Sequence, residues 1–136
     1  MGFVSKIASL FRRVQAPEFV LPPKEALTVT PSGLGYQVVA EGSGDRPGPM
    51  EKVTVHYAGW LVSGRLFDSS YARGKPTSFP LNRVIEGWSE GLQLMRPGAT
   101  YRFVIPPELG YGARGAPPSI GPNETLVFLV ELVDVG

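Results

Sequence analysis

One short helical pattern, in a chain otherwise dominated by β-strand patterns, limits how this protein can fold. In VIEGWSEGLQLMRPG, residues 84–98, the large apolar residues share one side of a helix: Ile85, Trp88, Leu92 and Met95. Gly87 and Gly91 each cost a helix about 1 kcal/mol relative to Ala. Because they lack side chains, however, they let the helix backbone approach a sheet closely. Pro97 and Gly98 then end the helix.

The segment VTVHYAGWL shows the two-residue alternation of a β-strand. Val53, Val55 and Tyr57 point to one side, so we expect these three side chains to face the core. His56 points to the other side, where we expect a surface position and not a metal ligand.

Two further segments extend the β-strand pattern. ATYRFVIPP alternates until Pro106 ends it, and TLVFLVELVDV is apolar on both faces, which is typical of a central strand covered on each side. The chain also has 17 Gly and 14 Pro, which favour turns between short strands. Together the patterns predict an α+β fold, in which a strongly twisted antiparallel sheet of five to six strands wraps over one short helix.

The composition argues against several classes of function. The chain has no cysteine and one histidine, so disulfides, thiolate catalysis and a metal site built on these residues are not expected. A net charge of +1 argues against a nucleic-acid surface, because affinity for phosphates needs clustered Lys and Arg. No apolar run reaches the roughly 18 residues that cross a membrane. We therefore predict no metal, no cofactor and no nucleic-acid partner.

The N-terminal segment differs in charge from the rest of the chain. Residues 1–17 carry three basic residues and no acid, and their apolar residues recur at helical spacing. The pattern predicts an amphipathic basic helix over 1–15, a proline-rich linker over 16–26 and a single folded domain over 27–136. This helix is expected to pack on its own domain or on a second copy, or else to contact a membrane surface or a partner.

The location of the protein is predicted from the same segment. Arg12 and Arg13 fall where a secretory signal needs an uninterrupted apolar stretch, so no signal peptide is recognised. We therefore expect a cytoplasmic protein, with peripheral membrane association as an open alternative.

Four segments, in their order and spacing, resemble the FK506-binding class of peptidyl-prolyl cis/trans isomerases: VTVHYAGWLVSGRLFDSS, VIEGWSEGLQLMRPG, IPPELGYG and TLVFLVEL. The resemblance covers about residues 27–135, and TVTPSGLGYQVVAEGSG resembles the first strand of bacterial and plant members. It implies an apolar pocket on the concave side of the sheet, in which Trp88 forms the floor beneath a proline ring.

The resemblance also implies the residues of the site. Catalytic roles are implied for Tyr57, Asp68, Tyr111 and Phe128. Contacts with a substrate or macrolide are implied for Phe67, Arg73, Val84, Ile85, Trp88 and Ile120. The Tyr111 hydroxyl and the Ile85 backbone N–H would donate hydrogen bonds to a substrate carbonyl, since an N–H that opens a helix has no intrahelical partner. Thr77 and Ala116 depart from the family pattern, which has an aromatic residue and a histidine at these positions in some members.

Rotation about an X–Pro bond needs no nucleophile, metal or proton transfer. Its barrier of ~18–20 kcal/mol comes from amide resonance, and the twisted imide is less polar than either planar form. An apolar, water-poor pocket therefore favours the transition state. A carboxylate beside aromatic rings is costly unless it is paired, so Asp68 needs Tyr57 or Arg73 as a partner. Asp68 would either shape the pocket or act electrostatically on the twisted imide.

The implied function is peptidyl-prolyl cis/trans isomerisation in unfolded or partly folded proteins. Proline-containing polypeptides would be the substrates, and macrolides of the FK506 and rapamycin type would be further ligands. The alternative is a non-catalytic module that holds a proline-containing segment of one partner. Retention of the implied catalytic residues together with Trp88 favours the enzyme, because a docking module could lose Asp68 or Trp88 at little cost.

Deletion of residues 1–17 tests the predicted domain boundary. We expect peptide isomerisation to change by less than about twofold, because the domain pattern begins at residue 27. We also expect altered self-association, vesicle binding or activity on an unfolded protein, since soluble proteins seldom leave on the order of a few hundred Å² of apolar surface uncovered. Sedimentation with and without anionic vesicles measures the first two effects. A truncated chain that fails to fold would place this segment in the core.

Overall fold

The computed structural model describes residues 17–136, and its main element is one antiparallel sheet of seven strands. The strands are β1 (Thr28–Val29), β2 (Gly35–Ala40), β3 (Lys52–Leu61), β4 (Leu66–Ser69), β5 (Thr77–Pro80), β6 (Thr100–Ile105) and β7 (Leu126–Val135). Their order across the sheet is β1-β2-β6-β7-β3-β4, and β5 pairs with the other end of β3. The predicted fold class is confirmed, with slightly more strands than the expected five to six.

Short helices connect the strands. They are the 3₁₀-helices Lys24–Ala26, Leu81–Arg83 and Pro107–Leu109 and the α-helices α1 (Ser70–Arg73) and α2 (Glu86–Leu92). Helix α1 begins where the Ser69 hydroxyl accepts the Ala72 N–H at 3.2 Å, and it ends at Gly74 in the left-handed conformation. Helix α2 is the helix expected from the sequence; it ends at Leu92, so Met95 is buried beyond the helix and not on it.

The core lies between the concave face of the sheet and α2. Val53, Val55 and Tyr57 on β3 are buried there, as their alternation predicts. Strand β6 contributes Tyr101, Phe103 and Ile105 to the same face. Strand β7 lies between β6 and β3, and its residues 126–130 are all buried, as expected for a central strand.

Helix α2 lies unusually close to β6 because two glycines face the strand. A Cβ on Gly91 would lie 2.6 Å from Cε1 of Phe103, and one on Gly87 would lie 2.7 Å from Cγ2 of Ile105. Both distances are shorter than carbon atoms can approach without displacement. The close approach expected from the glycine spacing is therefore found.

A smaller apolar cluster covers the convex face of the sheet. Ala58, Trp60 and Leu129 form it, and Phe19 and Tyr71 pack against it. The Phe19 and Trp60 rings lie 5.7 Å apart, so the segment before residue 27 contacts the sheet. Burial, together with the nearby Glu131, raises the pKa of Tyr71 to about 12.

His56 also lies on the convex face, where its ring stacks on Tyr71 at 4.8 Å and its Nδ1 is 2.9 Å from the Ser70 hydroxyl. Within residues 17–136, no helix has the length and apolar character needed to cross a membrane. The predicted N-terminal helix over 1–15 falls in the part of the chain that is not described, so it stays a prediction.

Replacing Gly91 by Ala should destabilise the domain. Ala favours a helix by about 1 kcal/mol over Gly, but its methyl group would collide with the buried Phe103 ring, and such overpacking costs about 1–3 kcal/mol. Ser89→Ala is the matched control, because Ser89 is on the same helix and its hydroxyl makes no hydrogen bond within residues 17–136. Urea denaturation should show a lower free energy of unfolding for Gly91→Ala alone; equal stability of both variants would contradict the close packing.

Candidate active site

A cavity of about 470 Å³ opens between the concave face of the sheet and the N-terminus of α2. Its lining residues are Tyr57, Phe67, Asp68, Thr77, Phe79, Arg83, Val84, Ile85, Trp88, Tyr111 and Phe128. They come from strands β3, β4, β5 and β7, from α2 and its preceding turn, and from the segment after Pro107–Leu109. The cavity therefore collects side chains that are far apart in the sequence.

The floor of the cavity is aromatic. Trp88 is buried, and the Tyr57 and Phe128 rings meet it edge to face at centroid distances of 4.9 and 5.1 Å. The Phe79 ring lies 5.3 Å away. Such aromatic pairs are each worth about 0.5–1.5 kcal/mol beyond the area they bury. Nε1 of Trp88 is buried and has no hydrogen-bond partner within residues 17–136.

One wall of the cavity depends on a glycine in β3. Phe67 and Phe128 meet edge to face at 5.5 Å directly over Gly59. A Cβ at Gly59 would lie 2.5 Å from the Phe128 ring and 2.8 Å from the Phe67 ring. Only glycine at this position leaves room for both rings.

A polar network also lines the cavity. The Tyr57 hydroxyl donates to the Asp68 carboxylate. The Arg73 guanidinium donates to Asp68 at 2.5 Å, to the Tyr57 oxygen at 3.0 Å and to the Thr77 hydroxyl at 3.2 Å. Asp68 thus has both of the partners that were considered for it from the sequence, and its charge is balanced at the cavity edge.

The network favours a neutral phenol beside a charged guanidinium. Burial, and then the hydrogen bond to Asp68, raise the pKa of Tyr57 above its ordinary value. The hydrogen bonds to Tyr57 and then Asp68 raise the pKa of Arg73. Tyr57 therefore remains a hydrogen-bond donor at neutral pH.

A buried serine fixes this network to the sheet. The Ser70 hydroxyl oxygen lies 2.7 Å from the Tyr57 N–H, from which it accepts, and 3.2 Å from the Tyr57 carbonyl, to which it donates. Ser70 opens α1, which also carries Arg73, so the position of Arg73 is tied to the backbone of β3.

Two of the lining residues carry a donor that has no partner within residues 17–136. Tyr111 is 40% exposed, and its hydroxyl makes no hydrogen bond within residues 17–136. Partial burial, and then Asp68, raise the pKa of Tyr111, which keeps it protonated. The Ile85 carbonyl accepts from Trp88 and Ser89, whereas its own N–H, as expected for a residue that opens a helix, has no acceptor in that part of the chain.

Most of the predicted site residues meet at this cavity, and two do not line it. Arg73 acts on the cavity through Tyr57 and Asp68. Ile120 is buried, and its backbone pairs with Ala116 at 2.8 and 3.0 Å. The functional roles assigned to all these residues stay predictions.

The sequence analysis does not name two lining residues, Phe79 and Arg83, and it names a third, Thr77, only as a departure from the family pattern. Strand β5 pairs Val53 with Phe79 and Val55 with Thr77. Because alternate residues of a strand share a face, the alternation of Thr77 and Phe79 would have placed both on the concave side. Residues 17–136 contain no group of three or more His, Cys, Asp or Glu side chains that could hold a metal ion.

The fold combines a sheet wrapped over one helix with an aromatic cavity between them. Comparison with known protein families identifies the class to which this combination belongs. The model of the family described as FKBP-type peptidyl-prolyl cis-trans isomerase matches residues 44–133. The chain belongs to this family, as the resemblance predicts.

Curated relatives agree with the family match. The chain is 48% identical over 112 residues to the peptidyl-prolyl cis-trans isomerase Mip of Coxiella burnetii, which covers 82% of this chain and 49% of that protein. It is 50% identical over 112 residues to the FKBP-type 22 kDa peptidyl-prolyl cis-trans isomerase of Escherichia coli, covering 82% and 54%. The chain thus spans about half the length of these relatives.

Solved structures share the fold. FkpA from Escherichia coli superposes with a TM-score of 0.79 at 49% identity, covering 82% of this chain and 52% of that one. A peptidyl-prolyl cis-trans isomerase from Pseudomonas syringae superposes with a TM-score of 0.77 at 32% identity, covering 98% and 92%.

The predicted cytoplasmic location is wrong in light of these relatives. The chain is 46% identical over 112 residues to a Legionella longbeachae protein named Outer membrane protein MIP, and the match covers 82% of this chain. The prediction relied on Arg12 and Arg13, which interrupt the apolar stretch that a secretory signal needs, whereas the family match covers residues 44–133. A folded domain of this kind does not by itself fix a cellular compartment.

Replacing Tyr57 by Phe should destabilise the fold by about 1–2 kcal/mol, because the hydroxyl joins a buried ring to two charged groups. Tyr111→Phe is the matched control, since its hydroxyl has no partner within the described residues; we expect a change below about 0.5 kcal/mol. Thermal and urea denaturation measure both variants. Equal stability of the two would mean that the Tyr57 network does not hold the wall.

Proposed function

We propose that this protein accelerates cis/trans rotation about X–Pro bonds in unfolded or partly folded polypeptides. The observation that carries the proposal is an aromatic cavity over Trp88 lined by two residues whose donors have no partner within residues 17–136, the Tyr111 hydroxyl and the Ile85 N–H. Membership of the isomerase family supports the same reaction.

In this proposal the isomerisation is accelerated because the cavity stabilises the twisted imide relative to the planar forms. The planar peptide bond is resonance-stabilised and strongly dipolar, and twisting removes both properties. Transfer from water into a cavity walled by Phe67, Phe79 and Phe128 therefore costs the twisted form less than the planar form. A preference of about 5 kcal/mol would give several thousandfold acceleration, because each 1.36 kcal/mol is tenfold.

The two donors orient the bound chain. The Tyr111 hydroxyl and the Ile85 N–H bind carbonyl groups of the substrate, so the proline ring rests on Trp88 while the preceding carbonyl rotates. Both donors lie at the edge of the same cavity, and neither has a competing partner within residues 17–136.

Asp68 acts mainly as a positioning residue in this proposal. Its carboxylate holds the Tyr57 hydroxyl and the Arg73 guanidinium together, and these groups form one wall of the cavity. Arg73 balances the charge of Asp68, so the carboxylate can lie beside aromatic rings. This wall therefore contains charged groups, but the Asp68–Arg73 pair has no net charge.

The same cavity is proposed to bind macrolides of the FK506 and rapamycin type. Its aromatic floor and open donors suit a ring that carries a proline-like group and neighbouring carbonyls. Thr77 presents a small hydroxyl at the rim, where Arg73 holds it at 3.2 Å. A large ligand therefore meets less apolar surface at this point than an aromatic residue would provide.

The decisive measurement is isomerisation of a short X–Pro peptide. At micromolar protein we expect exchange well above the uncatalysed rate, and Asp68→Leu should lower kcat/KM at least about tenfold, because it leaves Tyr57 and Arg73 without their acceptor. Asp45→Leu removes the same charge from an exposed residue outside the cavity and should leave the rate unchanged.

An exchange rate equal to the uncatalysed rate would overturn the proposal. The emission of Trp88, measured in a Trp60→Phe background, then shows whether the peptide still binds. Binding without turnover would favour the non-catalytic docking module.

A further inference from the structure

Arg83 is a cation at the cavity whose charge is not balanced by a contact. It ends the 3₁₀-helix Leu81–Arg83, is exposed and lines the cavity. Within residues 17–136 the single salt bridge joins Arg73 to Asp68, and the Arg83 side chain makes no hydrogen bond. Residues 1–16 contain no Asp or Glu that could pair with Arg83.

The other charges at the cavity cancel. Asp68 is paired with Arg73 at 2.5 Å, so these two residues together carry no net charge. Glu86 is close to Arg83 in the sequence but lines a separate groove with Ser89 and Glu90. The mouth of the cavity is therefore left with one positive charge beside an apolar, weakly screening floor, an arrangement that attracts anionic groups.

We propose that Arg83 makes this site prefer polypeptides that carry an acidic side chain next to the proline. The inference rests on the proposed function, because it takes the cavity as the proline site. Trp88 and Arg83 line the same cavity, so an acidic side chain next to a proline seated over Trp88 would experience the positive charge of Arg83. A basic neighbour is repelled by the same charge.

The size of the effect follows from the exposure of Arg83. Ion pairs formed at exposed positions favour association by about two- to fivefold. The preference weakens with added salt, because the Debye length falls from roughly 10 Å at 0.1 M to roughly 3 Å at 1 M. Arg83 thus affects which proline-containing segments bind and not the mechanism by which the X–Pro bond rotates.

The test uses two sets of short peptides. In the first set Glu, Gln or Lys immediately precedes the proline, and in the second set the same residues follow it. Two quantities are measured for each peptide: the isomerisation rate by protease-free NMR exchange, and equilibrium binding by Trp88 emission in the Trp60→Phe protein. NMR exchange avoids the charge preference of a coupling protease.

The unsubstituted protein should favour Glu over Gln by about two- to fivefold in at least one set and disfavour Lys by a similar factor. In Arg83→Gln the three peptides should be isomerised and bound about equally. Arg83→Glu should reverse the order of preference among them, and Arg83→Lys should retain that order. Arg65→Gln is the matched control, because it removes an exposed arginine that does not line the cavity. It should keep the original order.

The outcomes separate this inference from the proposed function. Charge-dependent binding that disappears in Arg83→Gln supports the role of Arg83 even if no peptide is isomerised, a result that would overturn the isomerase alone. Equal binding and equal rates for Glu, Gln and Lys peptides in both sets would overturn the role of Arg83. A preference that survives in Arg83→Gln would also overturn it.

Discussion

The contact between α2 and strand β6 determines the rest of this structure. With Gly87 against Ile105 and Gly91 against Phe103, the helix backbone rests almost directly on the sheet. That distance sets the depth at which Trp88 lies, and the rings of Tyr57 and Phe128 pack against the indole at this depth. Gly87 and Gly91 lower the helix propensity at two of the seven residues of α2. The close packing against β6 that they allow compensates for this cost.

The aromatic floor of the cavity and its Tyr57–Asp68–Arg73 network have different physical roles. The aromatic floor supplies the apolar surface that the proposed desolvation of the twisted imide requires. The Tyr57, Asp68 and Arg73 network lets a carboxylate lie beside that floor without an unpaired charge. Ser70 ties this network to the sheet, because it bonds to the backbone of Tyr57 and opens the helix that carries Arg73.

The sequence predicts those parts of the molecule whose patterns repeat. The alternation of VTVHYAGWL and the spacing around Trp88 identify β3 and α2, and the family resemblance supplies most of the cavity residues. A two-residue strand such as β1 has too little alternation to recognise, and the place of Ile120 depends on a loop whose course no local pattern fixes. No sequence pattern identifies Arg83 as a site residue. It lines the cavity because the 3₁₀-helix Leu81–Arg83 lies directly before α2.

Gly59 has a consequence for how such a cavity can change over evolution. Two phenyl rings occupy the space that any larger residue would need at this position, so the width of that wall is set by the backbone itself. Substitutions there, or at the rings, disturb the core and the cavity at once. The rim residues Thr77 and Arg83 are less constrained, because Thr77 is half-buried, Arg83 is exposed and neither belongs to the buried core. Single substitutions at the rim can therefore change ligand preference and leave the packing around Gly59 intact.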